Sequence, residues 1–184
     1  KSPLDFLFVQ PEPREIALLG GLTELSEDVR LVTSNVAPLY RKTMRTVLAT
    51  AGIKVVANKK KFIIEVKVEA ATLFDFKGVS DSGREEYYEI ELLDNAVTVR
   101  TATQLGALWG AHTLAGIYRA KSKGHSIPNM KIRDWPNHPV RAGFLAQQWG
   151  MERWTLEEWT ACVERLATGK FNAFAMPFDA GFCT

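Results

Sequence analysis

Two pairs of adjacent glutamates, Glu85-Glu86 and Glu157-Glu158, carry the residue type that general acid–base chemistry uses. Glu157-Glu158 follows Thr155 in the first turn of a predicted helix, where acids complement the positive end of the helix dipole. Glu85-Glu86 opens a strand after a polar loop and reads as solvated, so both pairs read as structural. The histidines, His112, His125 and His138, have neither the i, i+4 spacing of a helical metal site nor cysteines nearby, so no metal site is expected. Cys162 and Cys183 lack a partnered histidine in a recognisable arrangement and read as buried or free thiols. Trp149, Trp154 and Trp159 crowd one short stretch, with the planar, donor-rich guanidinium of Arg141 just ahead of them. Lys59-Lys60-Lys61 reads as a charged turn that keeps a sheet edge soluble. None of these patterns calls for a cofactor.

The elements that position these residues follow from hydrophobic period. Glu15–Leu19 and Val29–Thr33 are short β-rich runs, divided by Gly20-Gly21 and the polar Ser26-Glu27-Asp28. Ser34-Asn35 offers N-cap chemistry and Pro38 suits a first turn, after which Val36, Tyr40, Met44 and Val47 recur at helical spacing as far as Gly52. Lys61–Glu69 alternates, with Phe62, Ile64, Val66 and Val68 on one side. Tyr87–Leu93 and Ala96–Thr101 are strands joined by Asp94-Asn95, a pair suited to a tight hairpin, so the sheet is mixed or antiparallel. From Thr103 to about Ala120 the chain is apolar nearly all round and punctuated by Gly106, Gly110 and Gly116, which predicts a buried helix in close backbone contact with a neighbour. Ile127–Asn137 runs on as an extended, proline-punctuated segment. A domain boundary is expected between Pro136 and Pro139.

Beyond that boundary the rhythm changes. Val140–Gln147 reads as a strand, Thr155–Thr168 as a helix with a capping box from Thr155 to Glu158, and Phe171–Met176 as a second strand. Such a βαβ unit places two parallel strands in one sheet but cannot cover both of that sheet's faces, so the chain is expected to be the front of a larger α/β domain.

Composition narrows the partners. The chain has 184 residues, 46% hydrophobic and 24% charged, which is enough to build a real core. Its net charge of +2 reads as spread along the chain without a dominant basic stripe, so no nucleic acid partner is expected. No apolar run approaches a membrane span and the start resembles no signal sequence, so no membrane partner is expected. The first residue is Lys1, which leaves secretion and a cytoplasmic location both open.

Three segments resemble glycoside hydrolase family 20, the β-N-acetylhexosaminidases. Gln10-Pro11-Glu12-Pro13-Arg14-Glu15-Ile16 is similar to the opening of that family's accessory domain, and the stretch from Ala102 to Leu114 to its second helix. The stretch from Ile127 through Arg133-Asp134-Trp135-Pro136 to Arg141 is similar to the passage into the catalytic barrel. The resemblance implies an α+β fold: a zincin-like accessory domain without metal, a sheet with two helices packed on it, over residues 1–136. It implies next, over residues 137–184, the first β/α/β of a (β/α)8 TIM barrel. Related accessory domains precede the barrels of α-glucuronidases, O-GlcNAc hydrolases and α-N-acetylglucosaminidases.

Carried over residue by residue, Arg141 matches an arginine that hydrogen-bonds sugar hydroxyls; its other reading is an ion pair with Asp134 or another carboxylate at the domain junction. Trp149 is placed to stack on a sugar at the end of the first barrel strand, and Trp154 and Trp159 to pack the helix. Ala142 and Ala146 stand where the family has Gly and Asp, and in the run Ala175–Gly181 only Asp179 can replace the polar residues expected there. The family's catalytic Asp-Glu pair, which orients the substrate's own acetamido nucleophile and protonates the leaving oxygen, belongs to a later strand, so no catalytic residue is assigned in this chain. The resemblance therefore implies a carbohydrate partner, an amino-sugar glycoside, for a longer protein and an inactive fragment here. A non-catalytic module that forms homo-oligomers through its incomplete barrel edge, and a hydrolase of uronic acids in which Arg141 binds a carboxylate, are the alternatives.

Overall fold

The computed structural model describes residues 11–57, 62–120, 126–144 and 154–175. The chain divides into two compact units, residues 1–137 and 138–184. In the first unit a seven-stranded sheet is built from β1 (Glu15–Glu24), β2 (Asp28–Ser34), β3 (Lys54–Val55), β4 (Ile63–Val68), β5 (Tyr88–Leu93), β6 (Ala96–Thr101) and β7 (Ser126–Asp134). Its helices are α1 (Pro38–Thr50), the short α2 (Asp81–Arg84) and α3 (Gln104–Ala120). The strand order is β1-β7-β5-β6-β4-β2-β3, with β6, β4, β2 and β3 mutually parallel and β1, β7, β5 and β6 pairing antiparallel. The sheet is therefore mixed.

Alternation decides which face is dry. Phe62, Ile64 and Val66 ahead of and along β4, Tyr88, Ile90 and Leu92 on β5, and Val97 and Val99 on β6 all turn inward, joined by Met130 and Ile132 of β7. Met44, Val47 and Leu48 of α1 complete the same cluster with Ala107, Ala111, Leu114, Ala115 and Ile117 of α3. Burying this much apolar side chain at about 25 cal/mol per Å² is the main stabilising term of the unit. The hairpin between β5 and β6 turns on Asp94 and Asn95, at φ 51° and 60°, the left-handed geometry a two-residue turn between twisted strands requires.

Three elements differ from the sequence expectation. Gly20-Gly21 does not end the first strand: β1 continues through both residues, each at a positive φ, and the register against β7 slips between Leu18 and Leu22, so the pair forms a bulge. Ser34-Asn35 does not cap α1. Ala37 holds the cap position without a side-chain bond, and Gln104 from α3 closes the end instead, accepting from the Ala37 N–H (2.9 Å) and donating to the Asn35 carbonyl (2.9 Å). A residue 67 positions away supplies what local sequence was expected to supply. The segment expected as a proline-punctuated extension is β7, a nine-residue strand between β1 and β5. Pro128 is tolerated there because pairing with β5 reaches only to Met130, so the missing N–H costs no bond on that side.

Helix α3 lies hard against the sheet. A Cβ on Gly106 would collide with Thr101 Oγ1 and the Tyr87 carbonyl, and one on Gly110 would come within 2.6 Å of Val99 Cγ1. Thr101 Oγ1 meanwhile donates to the Tyr87 carbonyl (2.7 Å), locking β5 to β6 at that point. Beside it, Tyr88 donates its hydroxyl to Asp134 Oδ2 (2.5 Å) and shares a hydrogen bond with Thr113 of α3 (2.5 Å). Burial, reinforced by the Asp134 charge, holds the Tyr88 phenol well above its ordinary pKa. The adjacent Tyr87 ring packs against Phe74, Phe76 and Trp135 at centroid distances of 5.9, 5.2 and 6.0 Å. Its hydroxyl donates to Glu89 (2.7 Å) and accepts from Arg133 (2.8 Å), and burial pushes this phenol up to about 12.

The second unit contains β8 (Ala142–Phe144), α4 (Leu156–Thr168) and β9 (Ala173–Ala175), with β8 and β9 parallel. The capping box forms: Thr155 Oγ1 accepts from the Glu158 N–H (3.2 Å) and Glu158 Oε2 accepts from the Thr155 N–H (2.7 Å).

Two measurements check this account. Gly106→Ala is expected to cost about 2–4 kcal/mol in denaturant unfolding, since it overpacks the helix–sheet seam and disturbs a buried hydrogen bond; a loss under about 0.5 kcal/mol contradicts the close approach. A raised phenol pKa stabilises the fold fully below the ordinary tyrosine value, and that contribution is lost as pH rises through the folded value. Stability measured by denaturant unfolding should therefore begin to fall as pH rises above 10, the Tyr87 contribution being lost as pH passes about 12. Phenolate absorbance from all four tyrosines at pH 10 with the fold intact would contradict it.

Candidate functional site

The sheet face opposite α1 and α3 is charged, and its groups answer one another across the strands. Glu89 lies opposite both Arg100 and Arg133, and Glu91 opposite Lys131. Ion pairs run Lys67–Glu65 (2.8 Å), Arg100–Glu69 (2.7 Å), Arg100–Glu89 (3.4 Å), Lys131–Glu91 (2.8 Å) and Arg133–Glu15 (2.6 Å). Each of these carboxylates is balanced by a neighbouring cation, which suits a solvated sheet surface rather than proton transfer. Glu86 departs from its expectation. It is buried, at 5% exposure, where α2 leads into β5, whereas Glu85 beside it is exposed. The reason is local: the turn after α2 gives the Glu86 N–H to the Gly83 carbonyl and delivers the chain into the sheet one residue before Tyr87.

The segment Arg133-Asp134-Trp135 joins three environments. Arg133 reaches Glu15, the Tyr87 hydroxyl and the Asp75 carbonyl on the open side. Asp134 points inward to Tyr88 and accepts from the Arg14 N–H (3.3 Å), while Trp135 lies under the Arg14 guanidinium at 5.7 Å. This segment ties β7 to β1 and β5. The sequence signal for that role is the alternation of Ile132 and Asp134, both buried, with Arg133 between them.

In the second unit Arg141 precedes β8. Its Nε donates to the Lys170 carbonyl (2.7 Å) and Nη1 to the His138 carbonyl (2.8 Å). Its N–H donates to Asn172 Oδ1 (2.9 Å), and its carbonyl accepts from the N–H groups of Asn172 and Ala173. Asn172 Nδ2 donates in turn to the Pro139 carbonyl (2.8 Å). Lys170 sits at φ 58°, with its N–H on the Ala167 carbonyl and the Phe171 N–H on the Leu166 carbonyl, a Schellman closure of α4 in which lysine occupies the usual glycine position. The Arg141 side chain thus binds the turn that ends α4, at the end of the ladder where β8 begins.

At the other end of that ladder β8 and β9 lead into residues 145–153 and 176–184. Trp149 and Asp179, expected in a sugar site, lie outside the described residues, as do His125 and Cys183. Trp154 and Trp159 meet edge to face at 4.9 Å, and Trp159 meets Phe174 of β9 at 5.9 Å, so these rings pack α4 on its strand. Gly143 lets Leu166 close on β8. Cys162 is half-buried on α4, and His112 is buried in α3 beside Trp109. Among the described residues no three His, Cys, Asp or Glu side chains gather as metal ligands do.

The comparisons with known proteins agree with the architecture. A model described as glycosyl hydrolase family 20, domain 2 matches residues 7–135. The fold is similar to that of a chitobiase from Flavobacterium johnsoniae, 18% identical with a TM-score of 0.65 over 92% of this chain and 27% of that one. It is similar to the β-N-acetylhexosaminidase of Bacteroides fragilis, 16% identical with a TM-score of 0.64 over 91% of this chain and 32% of the other. The family 20 β-N-acetylhexosaminidase of Streptomyces coelicolor A3(2) is 15% identical, with a TM-score of 0.68 over 93% of this chain and 34% of the other. The chain thus spans between about a quarter and a third of the length of these structures. No curated protein sequence matches it. With the match extending over most of the chain, from residue 7 to Trp135, this protein belongs to glycosyl hydrolase family 20 through its domain 2.

Proposed function

We propose that the chain is the front part of a hydrolase of N-acetylhexosamine glycosides, comprising a zincin-like accessory domain and the first β/α/β of a (β/α)8 barrel. The observation that carries this reading is the domain 2 match over residues 7–135, followed by a helix that connects two parallel strands paired with each other. The exposed apolar side chains of the second unit support it. Phe144 is 66%, Leu156 79% and Val163 50% exposed, as expected of surfaces that neighbouring barrel elements cover. The accessory domain then serves as scaffold, its open-face carboxylates being committed to ion pairs. The reacting group is supplied elsewhere, by an Asp-Glu pair on a later strand.

In this reading Trp149 and Asp179 face the sugar, beyond the carboxyl ends of the first two barrel strands. Arg141 fits less well with them: barrel ligands bind at the carboxyl ends of strands, and its described bonds gather at the opposite end. The contacts favour an anchor that joins the start of β8 to the end of α4.

Incubated with an aryl N-acetyl-β-glucosaminide, this chain should give no turnover above buffer; a rate that scales with its concentration would overturn the proposal. Arg141→Ala should destabilise the second unit by about 1–3 kcal/mol through loss of charge-assisted bonds to carbonyls. In an extended, active form of the protein the same change should leave KM within about twofold. A KM raised tenfold at unchanged stability would instead assign Arg141 to the sugar.

A further inference from the structure

The net charge of +2 conceals a pronounced separation. Between Asp28 and Glu65 the chain carries eight lysines and arginines and no acidic residue at all, so the rest of the chain is net acidic. The run corresponds to β2, α1, β3 and the approach to β4, that is, to one side edge of the sheet. Four of its cations share one surface. Arg41, Lys42 and Arg45 lie on the exposed side of α1, whose opposite side buries Met44, Val47 and Leu48. Lys54 stands on β3, the edge strand, and lines a shallow hollow together with Arg45, Ala49, Gly52, Ile53 and Val55. No ion pair joins any of these four to a described carboxylate, in contrast to the open sheet face, where Lys67, Arg100, Lys131 and Arg133 are each paired.

We propose that this edge of the accessory domain binds a polyanionic glycan, one bearing sulfate or uronate groups. Arg41 and Arg45 are one helical turn apart, so their charges stand about 6 Å apart along the axis and follow an extended chain of anionic groups. Among the described residues this surface has no exposed aromatic ring on which unpaired bases could stack, Tyr40 being half-buried against the core, which disfavours single-stranded nucleic acid. The apolar side of α1 is committed to the core, so the helix has no face to insert into a lipid surface. Choosing a glycan over duplex nucleic acid rests on the carbohydrate reading proposed above. Such a surface would hold a charged polymer without breaking any bond in it.

The test uses this chain with dextran sulfate and polygalacturonate fragments, against neutral dextran of equal length, by titration calorimetry. Binding to at least one of the charged polymers is expected, with none to neutral dextran. Four neutralised charges should weaken binding about 50-fold between 50 and 200 mM salt, on a slope of roughly 0.7 per charge. The quadruple variant Arg41→Gln, Lys42→Gln, Arg45→Gln, Lys54→Gln should bind at least tenfold more weakly with an unchanged melting temperature. A control carrying Lys77→Gln and Arg165→Gln, both exposed elsewhere, should bind as the parent does. Should the quadruple variant fail to fold, charge-retaining Arg41→Lys with Arg45→Lys should bind within about threefold of the parent while Arg45→Gln alone binds more weakly. No binding, equal binding by the quadruple variant, or tighter binding of duplex DNA or of anionic phospholipid vesicles would each overturn the proposal. None of those results touches the turnover prediction, which tests the hydrolase reading separately.

Discussion

The first unit depends on the absence of two side chains. At Gly106 and Gly110 helix α3 comes so close to β5 and β6 that a single methyl group would meet Thr101, the Tyr87 carbonyl and Val99. That approach costs helix propensity, about 1 kcal/mol for each glycine, and returns dense packing along a helix whose middle and end are buried on several sides. It also brings Thr113 to the Tyr88 hydroxyl and Gln104 to the open start of α1. One helix therefore fixes the sheet beneath it, the buried polar network beside it and the cap of its neighbour.

Around that seam the polar residues divide by face. Inward, Asp134 is satisfied by Tyr88 and the Arg14 N–H; outward, Arg133 is held by Glu15, Tyr87 and Asp75. Two consecutive residues of β7 thus pin the strand from both sides, and Trp135 closes the end against Tyr87 and Arg14. The motif that resembled a passage between domains is the fastening at the sheet's end. Its residues carry structure, as do the ion-paired carboxylates of the open face.

Much of this was legible in the sequence where a period or a turn decides locally. The alternation from Phe62 to Val68 marked β4, Asp94-Asn95 marked the hairpin, and Thr155 with Glu158 marked the start of α4, because each signal lies within a few residues of what it forms. The misses were long-range. Gln104 caps α1 from another helix, and Gly20-Gly21 bulges a strand that β7 keeps paired on either side. Glu86 is buried by a turn that no pattern announces. For the candidate site, resemblance selected Arg141, Trp149 and Asp179; of these Arg141 lies among the described residues, and its bonds to the Lys170 and His138 carbonyls join positions 29 and 3 residues away, which no local pattern announces. The charge separation between α1 and the open face was present in the sequence and was hidden by averaging over the whole chain.

The central physical claim is that α3 and the strands beneath it form one cooperative body. Native-state hydrogen exchange measures this directly. Amides of α3 from Gly110 to Ile117 and those of β4, β5 and β6 should exchange with a common, slowest opening free energy, since neither layer keeps its core contacts without the other. If α3 amides exchange at least a hundredfold faster than the strands, the helix is an ornament on a self-sufficient sheet and the account is wrong.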